Sequence, residues 1–81
     1  MKPLAVGEML TLGDEVEYVV MSRLNHNNKD YILFANIDNP EDIVVRIEKF
    51  ENNELCLMGL ENSDEFDSVL KLFGDQINNS L

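Results

Sequence analysis

Apolar and polar residues alternate along most of the chain before residue 60, with the period of two that is typical of β-strands. The clearest case is a strand predicted over Glu15–Leu24, in which Val16, Tyr18 and Val20 share one side and acidic residues the other. The stretch Asp30–Ile37 is apolar on both sides at its centre, which indicates an interior strand of a covered sheet.

Three more stretches complete the predicted strands. Met9–Leu12 is a candidate short edge strand, Asp42–Phe50 alternates clearly, and Leu55–Leu60 is the last of the set. Within the Asp42–Phe50 strand, the alternation places Arg46 and Glu48 on the outward, solvent side.

Short clusters of turn-forming residues separate these strands. They are Asn25–Lys29, Asp38–Glu41 around Pro40, and the Asn-rich Glu51–Glu54. Asparagine tolerates left-handed backbone, and proline sets the φ that a turn requires. Because connections this short leave no room for a crossover, successive strands are expected to pair antiparallel.

An amphipathic helix is predicted after the last strand, over residues 62–74. Phe66, Val69, Leu70 and Phe73 recur at the i, i+3, i+4, i+7 spacing of one helical face. Such a stripe is expected to pack on the sheet, which is how both elements bury their apolar sides.

The ends of the helix carry recognisable signals. Asn62 or Ser63 can cap its start, and Asn62 and Glu65 have the spacing of a capping box. Gly74 is a natural stop, whereas Ile77 continues the apolar stripe and favours a further turn. Both ends of the helix therefore stay open at this point.

Together these elements predict one α+β domain. It is an antiparallel meander of four to five strands, strongly twisted or barrel-like, closed by one C-terminal helix. The single domain spans residues 1–81, with a flexible arm at 1–8, the strand meander at 9–60 and the helix at 62–74, or to 78 if the stripe continues.

The predicted sheet carries more apolar residues than one helix can cover. The set expected to face the helix comprises Val16, Tyr18, Val20, Tyr31, Leu33, Ile43, Val45, Ile47, Leu55 and Leu57. The other parity holds Cys56 and six candidate contact residues of a second face, namely Val19, Met21, Ile32, Phe34, Val44 and Met58. Either the sheet curls and the arm helps to cover this second set, or the second face contacts a partner or another copy of the chain.

Charge narrows the classes of partner. Sixteen acidic residues against six basic ones give a formal charge of −10, and more than half of the excess lies from Glu51 onward. Such a field repels phosphate backbones and anionic lipid surfaces, so direct binding to nucleic acid or membrane is disfavoured. It favours a basic protein partner instead.

The same composition points to the cytoplasm. No apolar run approaches the roughly 20 residues that a membrane span requires, and Met1–Glu8 reaches an acid before a signal segment develops. The single cysteine, Cys56, excludes an internal disulfide framework, which small exported domains usually carry.

Three segments carry a family resemblance. They are Gly13–Val20 (GDEVEYVV), Lys29–Leu33 (KDYIL) and Asp64–Val69 (DEFDSV). They resemble the YrzB-like family of small acidic bacterial proteins, a domain of unknown function (DUF1292) found mainly in Gram-positive bacteria. The resemblance spans about Leu10–Phe73, and the connection at Asn36–Asp42 is shorter and less acidic than the family's. It implies a cytoplasmic bacterial or phage-borne protein and no functional residues, because the family has no assigned activity.

Candidate catalytic and metal-binding residues are few. His26 is the single histidine and lies in a polar turn, while Cys56 lies between two leucines and is expected to be a buried apolar residue. One cysteine and one histidine do not make a typical zinc site, and neither acidic stretch has the ligand spacing of an EF-hand. No nucleotide-binding or hydrolase motif is present. We therefore expect no enzyme activity, no cofactor and no bound metal.

The remaining functional signal is the acidic surface. Its candidate partner-binding residues are Glu15, Glu17, Glu61, Asp64, Glu65 and Asp67. They favour a protein–protein interaction or regulatory module that binds a basic partner. The alternative is a phage-like mimic of nucleic acid that inhibits a DNA- or RNA-binding protein, and a small enzyme or calcium-binding protein is less favoured. Monomer and homodimer both stay open.

Overall fold

The structure is a computed structural model that describes residues 3–13 and 15–79. Residues 1–2 of the predicted arm lie outside these described residues. The elements, in chain order, are β1 (Met9–Leu12), β2 (Val16–His26), β3 (Lys29–Asn36), β4 (Ile43–Glu51), β5 (Glu54–Met58) and α1 (Ser63–Asn79). The predicted α+β fold, a strand meander followed by a C-terminal helix, is confirmed.

The strands form one antiparallel sheet in sequence order, β1-β2-β3-β4-β5. Two of its hairpins close through Asn-Asn pairs with left-handed backbone. The φ angles are 53° and 62° at Asn27 and Asn28, and 51° and 64° at Asn52 and Asn53. Positive φ at both central residues gives the type I′ turn, whose twist matches that of the flanking strands.

The sheet curls into a half-barrel, and a first core fills its concave face. The buried members of this core are Leu4, Tyr18, Val20, Ile32 and Phe34. Leucines of both edge strands, β1 and β5, pack against the same core. Side chains from the two edges of a five-stranded sheet can share one core only if the sheet curls.

A second core lies on the convex face, where α1 packs. Tyr31, Leu33 and Val45 of the sheet meet Val69 and Phe73 of the helix, and all five are buried. The predicted apolar stripe of the helix therefore does pack on the sheet.

The single set of residues predicted to face the helix divides between these two cores. Val20 lies opposite Phe34 on the concave side, whereas Leu33 lies opposite Val45 on the helix side. The prediction is wrong for the residues that face the concave core, which are Val16, Tyr18, Val20, Leu55 and Leu57. Alternation sorts the residues of one strand into two faces, but only cross-strand register says which faces coincide.

A β-bulge in β2 also divides the residues of that strand between the two cores. The register shifts between Val20 and Ser22, so that Met21 is the extra residue. Val20 belongs to the concave core, while Leu24, an even-numbered residue of the same strand, packs in the helix-side core.

The helix begins with the predicted cap and runs to the longer of its two predicted ends. The backbone N–H of Glu65 donates to Oδ1 of Asn62 at 2.8 Å. The helix then continues through Gly74 to Asn79, so the glycine does not stop it. In the part of the chain described here, no helix is long and apolar enough to cross a membrane.

Residues 3–8, predicted to be a flexible arm, lie against the sheet. The N–H of Gly7 donates to the carbonyl of Val20 at 2.8 Å, and the N–H of Val20 donates to the carbonyl of Glu8 at 2.9 Å. Leu4 is only 7% exposed and belongs to the concave core. The arm and the curl together cover Ile32, Phe34 and Val44 of the predicted second set, whereas Met21 and Met58 of the same set stay exposed.

Candidate functional site

The six acidic residues predicted as a partner surface lie in two groups at opposite ends of β2. Glu15 and Glu17 stand where β2 begins, while Glu65 contacts Lys29 just beyond the point where β2 ends. A strand of 11 residues is on the order of 30 Å long. The six carboxylates therefore do not form one continuous surface.

The first group lines a groove between the β1–β2 turn and the loop from β3 to β4. This acidic groove has a volume of about 420 Å³ and is formed by Glu15, Val16, Glu17, Asn36, Ile37 and Asp38. Its three carboxylates are exposed, and Ile37 is 40% exposed beside them. The groove thus brings three carboxylates and a partly exposed isoleucine together.

The walls of the acidic groove are held by hydrogen bonds. The N–H of Ile37 donates to the carbonyl of Glu17 at 3.1 Å, which joins one wall to the other. Oδ1 of Asn36 accepts from the N–H of Asp38 at 2.9 Å, and Nδ2 of Asn36 donates to Oδ2 of Asp42 at 3.2 Å. The loop is thus braced, so the groove is a shaped surface before any partner arrives.

The second group surrounds the start of α1, and Glu65 has a structural role there. Its carboxylate accepts hydrogen bonds from the hydroxyl of Tyr31 at 2.7 Å, from Nζ of Lys29 at 3.2 Å and from the N–H of Glu61 at 2.8 Å. The spacing of Asn62 and Glu65 suggested a capping box, but the carboxylate bonds the N–H of Glu61 instead. Glu65 therefore ties the start of the helix to the β2–β3 hairpin.

These contacts shift the pKa values of Glu65 and Tyr31. The N–H of Glu61, the Tyr31 hydroxyl and Lys29 stabilise the carboxylate and lower the pKa of Glu65. Burial, reinforced by the hydrogen bond to Glu65, raises the pKa of Tyr31 to about 12. At neutral pH the pair is therefore a neutral phenol donating to an ionised carboxylate.

The other three acids of this group, Glu61, Asp64 and Asp67, are exposed. Asp64 stands in the first turn of α1, where the helix macrodipole stabilises negative charge. Helix stabilisation accounts for its presence without a partner.

The six residues proposed as contacts of a second face are not one surface either. Ile32 and Phe34 are fully buried in the concave core, and Val44 packs against that core. Met21 and Met58 remain 51% and 46% exposed, on β2 and at the end of β5. Val19, half-buried, lies opposite Met9 of β1.

The most elaborate polar contact in the described residues was missed by the sequence interpretation. Glu48, predicted to face solvent, has a side chain that is 1% exposed and pairs with Arg23. Nη2 of Arg23 lies 2.6 Å from Oε1 of Glu48, and Nη1 lies 3.0 Å from Oε2. The pair also contacts the arm, because the N–H of Leu4 donates to Oε2 of Glu48 at 2.8 Å and Nη1 of Arg23 donates to the carbonyl of Leu4 at 2.6 Å.

These partners keep both groups charged. Burial alone would raise the pKa of Glu48, but the hydrogen bonds from Arg23 and from the N–H of Leu4 outweigh it, and the pKa is lowered. The hydrogen bond to Glu48 raises the pKa of Arg23. No signal in the sequence could have identified the pair, since it depends on register across the bulge in β2.

The two candidate nucleophile and base residues are not adjacent. His26 ends β2 and Cys56 lies in β5, so β3 and β4 stand between them. Three strand spacings along the sheet amount to roughly 14 Å, well beyond hydrogen-bond reach. Among the described residues, no group of three or more His, Cys, Asp or Glu side chains is arranged to hold a metal ion.

Comparison with known proteins agrees with the family resemblance. The chain matches the family described as "Protein of unknown function (DUF1292)" over residues 12–77. It is 30% identical over 59 residues to a UPF0473 protein of Heliobacterium modesticaldum (strain ATCC 51547 / Ice1), and the match covers 70% of this chain and 66% of that protein. It thus spans slightly less than two-thirds of that relative's length. No solved structure matches the chain.

Proposed function

This chain belongs to the DUF1292 family of proteins of unknown function, and we propose that it is a protein–protein interaction module that binds a basic partner through the acidic groove. The single observation behind the proposal is the groove itself, which is lined by the exposed carboxylates of Glu15, Glu17 and Asp38 and by the partly exposed Ile37. A lysine or arginine side chain suits this chemistry, because its aliphatic stem packs on apolar surface while its charged head meets the carboxylates.

The distribution of charge supports the same proposal. Within the described residues, every Asp and Glu is exposed apart from Glu48 and Glu65. Three of the basic side chains, Arg23, Lys29 and Lys49, are already paired with acids of the same chain. The surface field is therefore largely uncompensated, which would steer a basic partner toward the protein at low ionic strength.

The groove is a better candidate than the start of the helix. The helix macrodipole accounts for Asp64, and Glu65 is hydrogen-bonded within the fold. No comparable structural role explains three exposed carboxylates around one concavity. We place this activity in the cytoplasm, consistent with a single cysteine, Cys56, that is half-buried and free.

Two triple variants test the proposal with equal changes in net charge. One is Glu15→Gln, Glu17→Gln, Asp38→Asn in the groove, and the matched control is Glu61→Gln, Asp64→Asn, Asp67→Asn near the helix. Each tagged chain is incubated with a lysate of the organism that encodes it at low salt, and bound proteins are eluted with a salt gradient. We expect a basic protein to bind wild type and the control, and to elute from the groove variant at much lower salt or fail to bind.

The outcome also separates the competing interpretations. Equal weakening in both variants would mean that overall charge matters and the groove does not, which is what mimicry of a nucleic-acid backbone requires. Unchanged binding in the groove variant would rule out the groove as the contact surface. Circular dichroism of each variant confirms that the fold is kept.

A further inference from the structure

The buried Arg23–Glu48 pair holds the arm by recognising the backbone of one residue. Glu48 accepts the N–H of Leu4 at 2.8 Å, and Arg23 donates to the carbonyl of Leu4 at 2.6 Å. The Leu4 side chain enters the concave core beside Val20 and Ile32. One aliphatic side chain and both backbone groups of the same residue are bound together, as in the recognition of an extended peptide. We call Arg23, Glu48 and the apolar residues around Leu4 the arm pocket.

The arm pocket holds Leu4 with a buried ion pair, although burial of the leucine side chain alone could hold the arm. The Glu48 side chain is 1% exposed and that of Arg23 is 26% exposed. Removing two charges from water is costly, and a well-packed apolar pair often stabilises a core as well or better. An ion pair adds directional bonds, and here those bonds select a backbone in one register. The arm pocket therefore binds the backbone of Leu4 through directional hydrogen bonds, in addition to burying its side chain.

The arm is held in this pocket by a single anchor. Pro3, Ala5 and Val6 are exposed, so Leu4 is the only deeply buried residue among residues 3–6, the part of the arm before Gly7 that the structure describes. Gly7 has a φ of 91° and open space where a Cβ would lie, and its N–H bonds β2 at Val20. A pivot at Gly7 would let the Leu4 segment leave while β1 stays paired with β2.

We propose that the arm pocket is a peptide-binding site whose alternative occupant is the same arm from a second copy of this chain, giving an arm-exchanged dimer. A second arm fits because its sequence is identical, so every contact of Leu4 is remade across the interface. The arm in cis competes with an effective concentration in the millimolar range, so the unaltered chain stays closed when dilute. Two chains of charge −10 repel, so exchange should increase with salt. This proposal is independent of the acidic groove.

A synthetic peptide tests whether the arm pocket accepts an arm in trans. The probe is residues 3–8, Pro-Leu-Ala-Val-Gly-Glu, acetylated and labelled with a fluorophore at its C-terminus, and the control peptide carries Asp in place of Leu. The receptor is the full chain with Leu4→Asp, which empties its own pocket. Fluorescence anisotropy should show saturable binding, about tenfold or more weaker for the control peptide and for wild-type protein, whose own arm competes.

Both outcomes of that experiment are decisive. If the folded Leu4→Asp chain does not bind the peptide, or binds the control equally, the proposal is overturned. If Leu4→Asp does not fold alone, the native peptide should restore its circular dichroism spectrum and the control should not. Absence of restoration would also overturn the proposal. Val6→Asp, at an exposed position of the same arm, should behave as wild type.

A mixing experiment tests whether a second copy is the occupant. Leu4→Asp has a sound pocket without a competent arm, whereas Glu48→Gln has a competent arm and a weakened pocket. Light scattering and native mass spectrometry of the mixture, at about 0.5 mM and moderate salt, should reveal a heterodimer that neither variant forms alone. Peptide binding without this heterodimer would overturn the second copy as the occupant.

Discussion

Two carboxylates, Glu48 and Glu65, have structural roles that most acidic side chains of this protein do not. Glu48 is buried against Arg23 and the N–H of Leu4, and Glu65 accepts three hydrogen bonds where the helix meets the β2–β3 hairpin. Because charge-assisted hydrogen bonds require the ionised form, both groups couple folding to pH.

The residue-scale prediction concerns acid denaturation. The pKa values of Glu48 and Glu65 are lowered from the ordinary 4.5 in the folded chain. Their contribution to stability is therefore complete above pH of about 4.5 and is lost as the pH falls through the folded-state values. We therefore expect the urea midpoint to fall as the pH is lowered below about 4.5.

Glu48→Gln provides the matching comparison. This variant should be less stable than wild type at neutral pH and should show a shallower decline in acid, because one of the two coupled protonations is gone. Glu54→Gln, at an exposed position on the β4–β5 hairpin, should keep the wild-type slope. Parallel slopes for wild type and Glu48→Gln would show that Glu48 does not link folding to protons.

At the scale of elements, local sequence signals account for most of the strand and helix boundaries. The Asn-Asn turns have the left-handed backbone that asparagine tolerates, and Asn62 caps α1 as its spacing indicated. The exception is the bulge at Met21, where β2 has one residue more than the paired stretch of β3. No residue type at this position predicts a bulge. That bulge turns Arg23 toward Glu48 and Leu24 toward the helix.

The element-scale prediction concerns Gly74, which lies inside α1 rather than at its end. Its φ is not positive and a Cβ there would meet nothing within 4 Å. Gly74→Ala should raise the free energy of unfolding by about 0.5–1 kcal/mol, since alanine loses less backbone entropy in a helix. Differential scanning calorimetry should record a midpoint about 4 °C higher.

Gly13→Ala is the control for that substitution. Gly13 also has open space around it, but its φ of 56° strains an L-residue. We expect this variant to be destabilised by about 1 kcal/mol. If Gly74→Ala were destabilised as well, the result would contradict a helix that continues through residue 74. It would instead support the prediction that the helix ends at Gly74.

At the scale of the whole molecule, charge opposes compaction. The formal charge is −10, and within the described residues the exposed acids are distributed over both ends of the sheet and the start of the helix. Self-repulsion of this kind favours solubility and reduces the stability of the folded state. Because exposed acids occur in every one of these regions, the local arrangement of the carboxylates distinguishes one surface from another better than their number does.

The corresponding prediction is that salt stabilises the fold. Raising NaCl from about 10 mM to about 150 mM shortens the Debye length from about 30 Å to about 8 Å. The thermal midpoint should therefore rise by several degrees, and less in either triple variant, which carries three fewer negative charges. A midpoint that falls with salt would mean that surface ion pairs such as Lys49–Glu51 outweigh the net repulsion.

The sequence predicted part of each candidate site, and the rest became visible only in the tertiary structure. Glu15 and Glu17 were identified from their exposure on an alternating strand, but Asp38 joined them only when the β3–β4 loop folded beside the β1–β2 turn. Glu65 was identified as a surface acid, and its three hydrogen bonds became visible only with the hairpin packed against the helix.

The sequence by itself determined the α+β class, the order of the strands, the two Asn-Asn turns, the helix with its cap, and the strongly acidic surface. These properties depend on residues close together in the chain, through backbone preferences and the periods of two and 3.6. Only the tertiary structure decided which residues share a face, that the sheet curls over Leu4, and that Glu48 is buried with Arg23. Those properties depend on cross-strand register and a one-residue bulge, and a shift of one residue reverses every side chain of a strand.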